Sequence, residues 1–179
     1  MEIIPTEIDG CVEVHSRVFT DDRGTFVKTF HADQFHRLGL NGVWREYFYS
    51  SSALGVVRGL HFQVPPTDHI KLVTCVVGAV WDVVVDLRRA SPTYGKHVAR
   101  ELTADRGSLL YIPRGMAHGF LSLTEGSVML YAVETVHDSQ CDKGIRWDSC
   151  GISWPSVGAL NMSKRDAALP PFDNFESPF

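Results

Sequence analysis

His61 and Lys71 stand in VVRGLHFQVPPTDHIKLVTCVVGAVWDVVVDLR, residues 56–88, a stretch otherwise made of strand-like apolar runs. A polar ring in such surroundings needs a partner or a ligand. Histidine titrates near neutral pH and suits a general base. Lys71 could hold a developing oxyanion by charge. Tyr131, in VMLYAVET, lies in another strand-like run and could serve as a weak acid, and Asp166, in SKRDAAL, could orient and charge-stabilise the histidine. A base, an opposed acid and a cationic oxyanion holder are what proton removal alpha to a carbonyl requires. Return of the proton from the opposite face inverts the carbon, which is racemisation or epimerisation. Each residue taken singly also has a structural reading: a satisfied barrel histidine, a core tyrosine, a solvated strand end and a helix-turn aspartate. Only as a set do they define a reaction, and neither their types nor their spacing assembles that set.

Metal chemistry has a weaker basis. The segment GSLLYIPRGMAH (107–118) fits the second cupin signature, G-x5-P-x-G-x2-H, and supplies His118. The first signature would need a close His-x-His pair, and His61 is followed by Phe62 and Gln63. No metal and no cofactor are expected. The four cysteines, Cys11, Cys75, Cys141 and Cys150, form no C-x-x-C pair, so neither zinc nor a disulfide framework is expected.

The elements that must position these groups are mostly strands. Short runs rich in Val, Ile, Tyr, Phe and Thr recur from GCVEVHSRVF to SVMLYAVET, punctuated at roughly 8–12-residue intervals, as in a sandwich or barrel. Gly78, TADRG and LTEGS are expected to close hairpins. Helix is confined to HADQFHRLGL (31–40) and to SKRDAAL (163–169), the latter capped by Ser163 and stopped by Pro170 and Pro171. The tail PPFDNFESPF has too little periodicity to place. The expected architecture is all-β: one antiparallel jelly-roll β-barrel with a few short helices, spanning 1–179 as a single domain. Inward side chains alternate along each strand of such a barrel, so His61 would face its cavity.

Composition bounds the partners. With 179 residues the chain can bury a real core, and its formal charge of −4 without a Lys/Arg cluster argues against nucleic acid. The N-terminus MEIIPTEIDG has no signal-peptide pattern, and the longest apolar run, 72–85, is too short to span a membrane and carries Asp82. A cytoplasmic location is expected.

RGLHFQ, KLVTCVVGAVWDVVVDLRRASPTYG, YIPRGMAHGFLSL, LYAVET, GIRWD and GISWP, in this order, resemble the dTDP-4-dehydrorhamnose 3,5-epimerase family over about residues 10–170. The resemblance implies a cupin-type jelly-roll homodimer, metal-free, acting on a nucleotide-linked 4-keto-6-deoxyhexose. It puts the general base on His61, its carboxylate partner on Asp166, the opposite-face proton donor on Tyr131 and the substrate-side lysine on Lys71. Asp82 matches an acidic position inside the barrel. Arg58 and Arg23 match arginines that contact the nucleotide-sugar, His118 a ligand-contacting histidine, and Arg165 a position where the family commonly has lysine. Asp142 joins the same substrate-binding set.

Three departures fall on the nucleotide side. Lys28 stands where the family commonly has a glutamate, Glu46–Phe48 reads EYF in place of Gln-Asp-Asn, and Val136 and His137 replace a Tyr-Tyr pair. A lysine suits a ring atom that only accepts, and Glu46 suits an amino donor, a combination that cytosine and guanine both offer. The expected nucleotide is therefore CDP, then GDP, in place of dTDP. The alternative is that Lys28 and Glu46 pair with each other at the rim.

Two other functions remain for the same barrel. A 3,4-ketoisomerase would favour two neighbouring histidines over an opposed tyrosine, and a non-catalytic sugar-nucleotide binder would need neither His61 nor Tyr131. The expected setting is deoxysugar supply for a surface polysaccharide, a lipopolysaccharide or a glycosylated natural product.

Overall fold

Alternation of apolar and polar residues sorts each strand's side chains between two faces, and two sheets use those faces differently. The computed structural model describes residues 1–179. Its strands are β1 (Glu2–Pro5), β2 (Val12–His15), β3 (Val18–Asp21), β4 (Gly24–Val27), β5 (Glu46–Ser52), β6 (Val57–Gln63) and β7 (Lys71–Val77). They continue with β8 (Ala79–Asp86), β9 (His97–Thr103), β10 (Ser108–Ile112), β11 (Met116–Ser122), β12 (Ser127–Val133) and β13 (Asp142–Gly144). Helix is limited to α1 (Ala32–Arg37), α2 (Lys164–Ala167) and one 3-10 turn, Phe172–Asn174. No helix is long and apolar enough to cross a membrane.

A six-stranded sheet runs β1-β2-β10-β7-β12-β5 and a five-stranded sheet runs β13-β6-β11-β8-β9, with every pairing antiparallel. The β3–β4 hairpin forms a sheet of its own. Val73 and Cys75 from β7, Leu110 from β10 and Met129 from β12 pack against Val80 and Val84 from β8 in one buried cluster, which fills the space between the sheets. Each such side chain, fully buried, contributes about 1.5–3 kcal/mol. The alternate positions face outward. Leu60, Phe62, Val83 and Val85 are covered by Trp154, Phe172, Phe175 and Phe179, while Val14, Leu72 and Leu109 are covered by Phe30, Phe35 and Trp44. The tail that showed no periodicity is thus the outer cover of the five-stranded sheet.

This is the jelly-roll architecture read from the strand spacing, with both short helices in place. Ser163 caps α2 as expected, its hydroxyl accepting from the Asp166 backbone N–H at 3.0 Å. The three expected hairpins are corrected. Gly78 joins β7 to β8, TADRG joins β9 to β10 and LTEGS joins β11 to β12, and in each case the two strands belong to different sheets. Turn residues mark a chain reversal but carry no information on whether the next strand pairs or crosses over. At Gly78 (φ +73°) the reversal requires glycine, since a Cβ there would meet Thr124 Oγ1 at 2.2 Å.

Candidate active site

Inward parity brings the chemistry together. His61 on β6, His118 on β11 and Asp82 on β8 project from the five-stranded sheet into the barrel, and Lys71 and Tyr131 project from β7 and β12 opposite them. A cavity of about 690 Å³ opens between the sheets, lined by His61, Lys71, His118, Tyr131 and Asp166 among others. That size lies within the usual range for small-molecule sites, roughly 300–1,000 Å³.

His61 Nε2 lies 2.8 Å from Asp166 Oδ1. Asp166 is 4% exposed, and its other oxygen accepts from Gly59 N–H at 3.3 Å. Burial alone would raise this carboxyl, but the bonds from His61, Gly59 and Ser163 outweigh it and hold it below the usual carboxylate range. An ionised carboxylate only accepts, so His61 donates from Nε2, and in the neutral ring this leaves Nδ1 as the basic nitrogen. The imidazole is therefore held in the tautomer a base needs.

Lys71 Nζ donates to the His61 carbonyl at 3.1 Å. Burial lowers its pKa to about 8, against the opposing pull of Asp142 and Asp82. Tyr131 faces His61 from the other sheet. Burial pushes its phenol well above the usual value, only partly offset by Ser50, so it stays protonated and can donate. Its ring stacks on Phe48, with centroids 4.5 Å apart and planes at 12°.

His118 and Asp82 form a second pair, with Nε2 at 2.8 and 3.0 Å from the two carboxylate oxygens. Both are buried, and burial raises Asp82 while His118 opposes the shift. At the mouth, Arg58 donates to Ser52 Oγ (3.1 Å) and the Ser51 carbonyl (3.0 Å), and Arg165 pairs with Asp142 at 2.7 Å. Arg58 thus meets only neutral acceptors, whereas Arg165 already holds a carboxylate. Glu46 accepts from the His137 backbone N–H at 2.8 Å, and both residues line the wall.

Three of the expected substrate residues do not line the cavity: Asp82 is fully buried behind His118, and two others lie elsewhere. Arg23 sits in the exposed β3–β4 hairpin, paired with Asp21, and Lys28 follows that hairpin; neither lines this chain's cavity. Lys28 and Glu46 do not pair with each other.

Sequence reasoning missed His69. It lines the cavity, with Nδ1 at 2.8 Å from Thr135 Oγ1 and 3.2 Å from Gln63 Nε2. Burial, with the neighbouring charges of Lys71 and Arg114, pushes its pKa down to about 3, so the ring is neutral. The available signal was parity: His69 stands two residues before Lys71. Phe48 was read only as part of a departure from family pattern, because stacking on a cross-strand neighbour depends on a register that one strand does not reveal.

One cavity of the barrel thus holds a carboxylate-bonded imidazole, an opposed phenol and a lysine, and comparison with known proteins places the chain among isomerase-class enzymes. The dTDP-4-dehydrorhamnose 3,5-epimerase family model matches residues 5–174. The chain is 40% identical over 172 residues to the dTDP-4-dehydrorhamnose 3,5-epimerase of Escherichia coli, covering 94% of this chain and 93% of that protein. It is 39% identical over 160 residues to that of Sinorhizobium fredii, with 88% and 82% covered. Among solved structures, the dTDP-6-deoxy-D-glucose-3,5-epimerase of Legionella pneumophila in complex with dTDP-4-keto-L-rhamnose superposes with a TM-score of 0.93 at 31% identity, covering 98% of this chain and 94% of that one. The chain belongs to the dTDP-4-dehydrorhamnose 3,5-epimerase family.

Proposed function

We propose that the protein inverts carbon next to the C4 ketone of a nucleotide-diphosphate-linked 4-keto-6-deoxyhexose. The observation that carries this reading is one cavity holding His61 on one sheet, bonded to Asp166 of α2, and Tyr131 on the other sheet. His61 Nδ1 takes the proton from carbon, and the bonding pair moves into an enolate whose oxygen Lys71 stabilises. Tyr131 then delivers a proton to the same carbon from the opposite face, and solvent resets both groups. Acid, base and cation all come from the chain itself. Arg58 and Arg165 are placed to meet the diphosphate.

The proposed assembly is a homodimer in which the partner's β3–β4 hairpin supplies a cation to the cavity, since Arg23 and Lys28 do not reach their own. The proposed nucleotide remains CDP ahead of GDP over dTDP, supported by the lysine and glutamate on the base side. The dTDP in the names above is a property of those relatives. Competition by dTDP, CDP and GDP for the purified protein tests it, and tightest binding by dTDP would sink the nucleotide proposal.

A 3,4-ketoisomerase gains one supporting observation: His61 and His118 are register partners on β6 and β11. His118, however, is 4% exposed and committed to Asp82, while Tyr131 occupies the opposed position. NMR of the product separates the two. Epimerisation leaves the ketone at C4 and inverts C3, C5 or both, whereas ketoisomerisation moves the carbonyl to C3.

A further inference from the structure

Tyr131 must aim its hydroxyl at carbon, yet little holds that hydroxyl. Its nearest polar partner, Ser50 Oγ, is 3.5 Å away, at the far limit of a hydrogen bond. The ring, by contrast, is gripped on two sides. Phe48 is its direct partner in the β5–β12 register and stacks on it, and His118 meets it edge-on with centroids 6.0 Å apart and planes at 71°. Phe48 is itself 42% exposed, on the edge strand of its sheet and in the cavity wall. It adds little to the buried core, so its contribution is to the site. The phenol oxygen stands at the end of a long side chain, and a change of rotamer would swing it by several times the tolerance of a proton transfer.

We propose that Phe48 is a positioning residue: by stacking on Tyr131 it holds the phenol in the rotamer that presents its hydroxyl to the substrate face opposite His61. This rests on the epimerase reading above.

Positioning has a signature that general destabilisation lacks. In D2O, His61 can remove a proton and return a deuteron to the same face, giving exchange without inversion. Inversion needs Tyr131. Phe48→Ala is therefore expected to slow inversion about tenfold more than it slows exchange. Phe48→Tyr keeps the stacked ring and is expected to restore the wild-type ratio. Phe48→Leu keeps the apolar bulk and removes the stacking, so it carries the test if the alanine variant folds poorly. Exchange and inversion falling in parallel, or an unchanged ratio in both Phe48→Ala and Phe48→Leu, overturns the positioning role. Absence of exchange in the wild-type protein overturns the epimerase reading itself, and the two failures are thereby distinguished.

Discussion

His61 and His118 sit opposite each other on neighbouring strands of one sheet, and each is bonded to its own carboxylate, Asp166 and Asp82. The pairs differ in access. The His61 side chain is 29% exposed at the cavity, whereas those of His118 and Asp82 are 4% and 0% exposed. Two similar pairs thus divide into one whose histidine is open to the cavity and one whose histidine only edges it, with its carboxylate fully buried behind.

Asp166 fixes the His61 tautomer, so Asp166→Asn is expected to lower kcat about 10²-fold or more while leaving KM nearly unchanged. Steady-state kinetics check this. Stability carries a second signature. Because the folded-state carboxyl is held below its unfolded value, its stabilising share is complete above about pH 4 and is lost as pH falls through the lower folded value. Urea melts from pH 7 down to pH 3 should show a shallower acid loss in Asp166→Asn than in the wild type.

Lys71 is cationic below its pKa of about 8 and neutral above it. If its charge holds the enolate, kcat falls as pH rises through that value. Lys71→Arg should carry the alkaline limb beyond pH ~10, because guanidinium stays charged. Lys71→Met should lower kcat about 10²-fold at every pH. A pH–rate profile of the three proteins measures all of this.

Arg58 lies at the mouth and meets no carboxylate of its own chain. Arg58→Gln is expected to raise KM about tenfold or more and to weaken nucleoside diphosphate competition equally, with kcat spared. Titration calorimetry with the diphosphate alone isolates the effect.

The β6–β11 contact that brings the two histidines together depends on close backbone approach. A Cβ on Gly119 would meet the Arg58 carbonyl at 2.5 Å and Leu60 Cδ2 at 2.8 Å. Gly119→Ala is expected to destabilise the protein by about 1–3 kcal/mol, visible as a lowered denaturant midpoint.

Much of this site could be read before the fold was known, because period-2 alternation is a local property. The same parity that buried Val73 and Val84 placed Lys71, Tyr131 and Asp82 inside the barrel. What failed was non-local. Gly78 signals a reversal equally well for a hairpin or for a step between sheets. β13 is only three residues long and exists because β6 offers an edge. Phe175 and Phe179 show no periodicity because they cover a sheet face from an irregular tail, packing on Phe62 at 5.1 and 6.0 Å. The contact of Asp166 with His61 spans 105 residues, and only resemblance to a family could join them in advance.

The central claim is a base and an acid on opposite faces of one carbon. Its most direct test compares His61→Ala and Tyr131→Phe in D2O with the 4-keto-6-deoxyhexose linked to whichever nucleotide binds best, following deuterium at C3 and C5 together with configuration. The expected result is that His61→Ala loses both exchange and inversion, while Tyr131→Phe keeps exchange and loses inversion. Inversion at the wild-type rate in either variant would contradict the two-face mechanism.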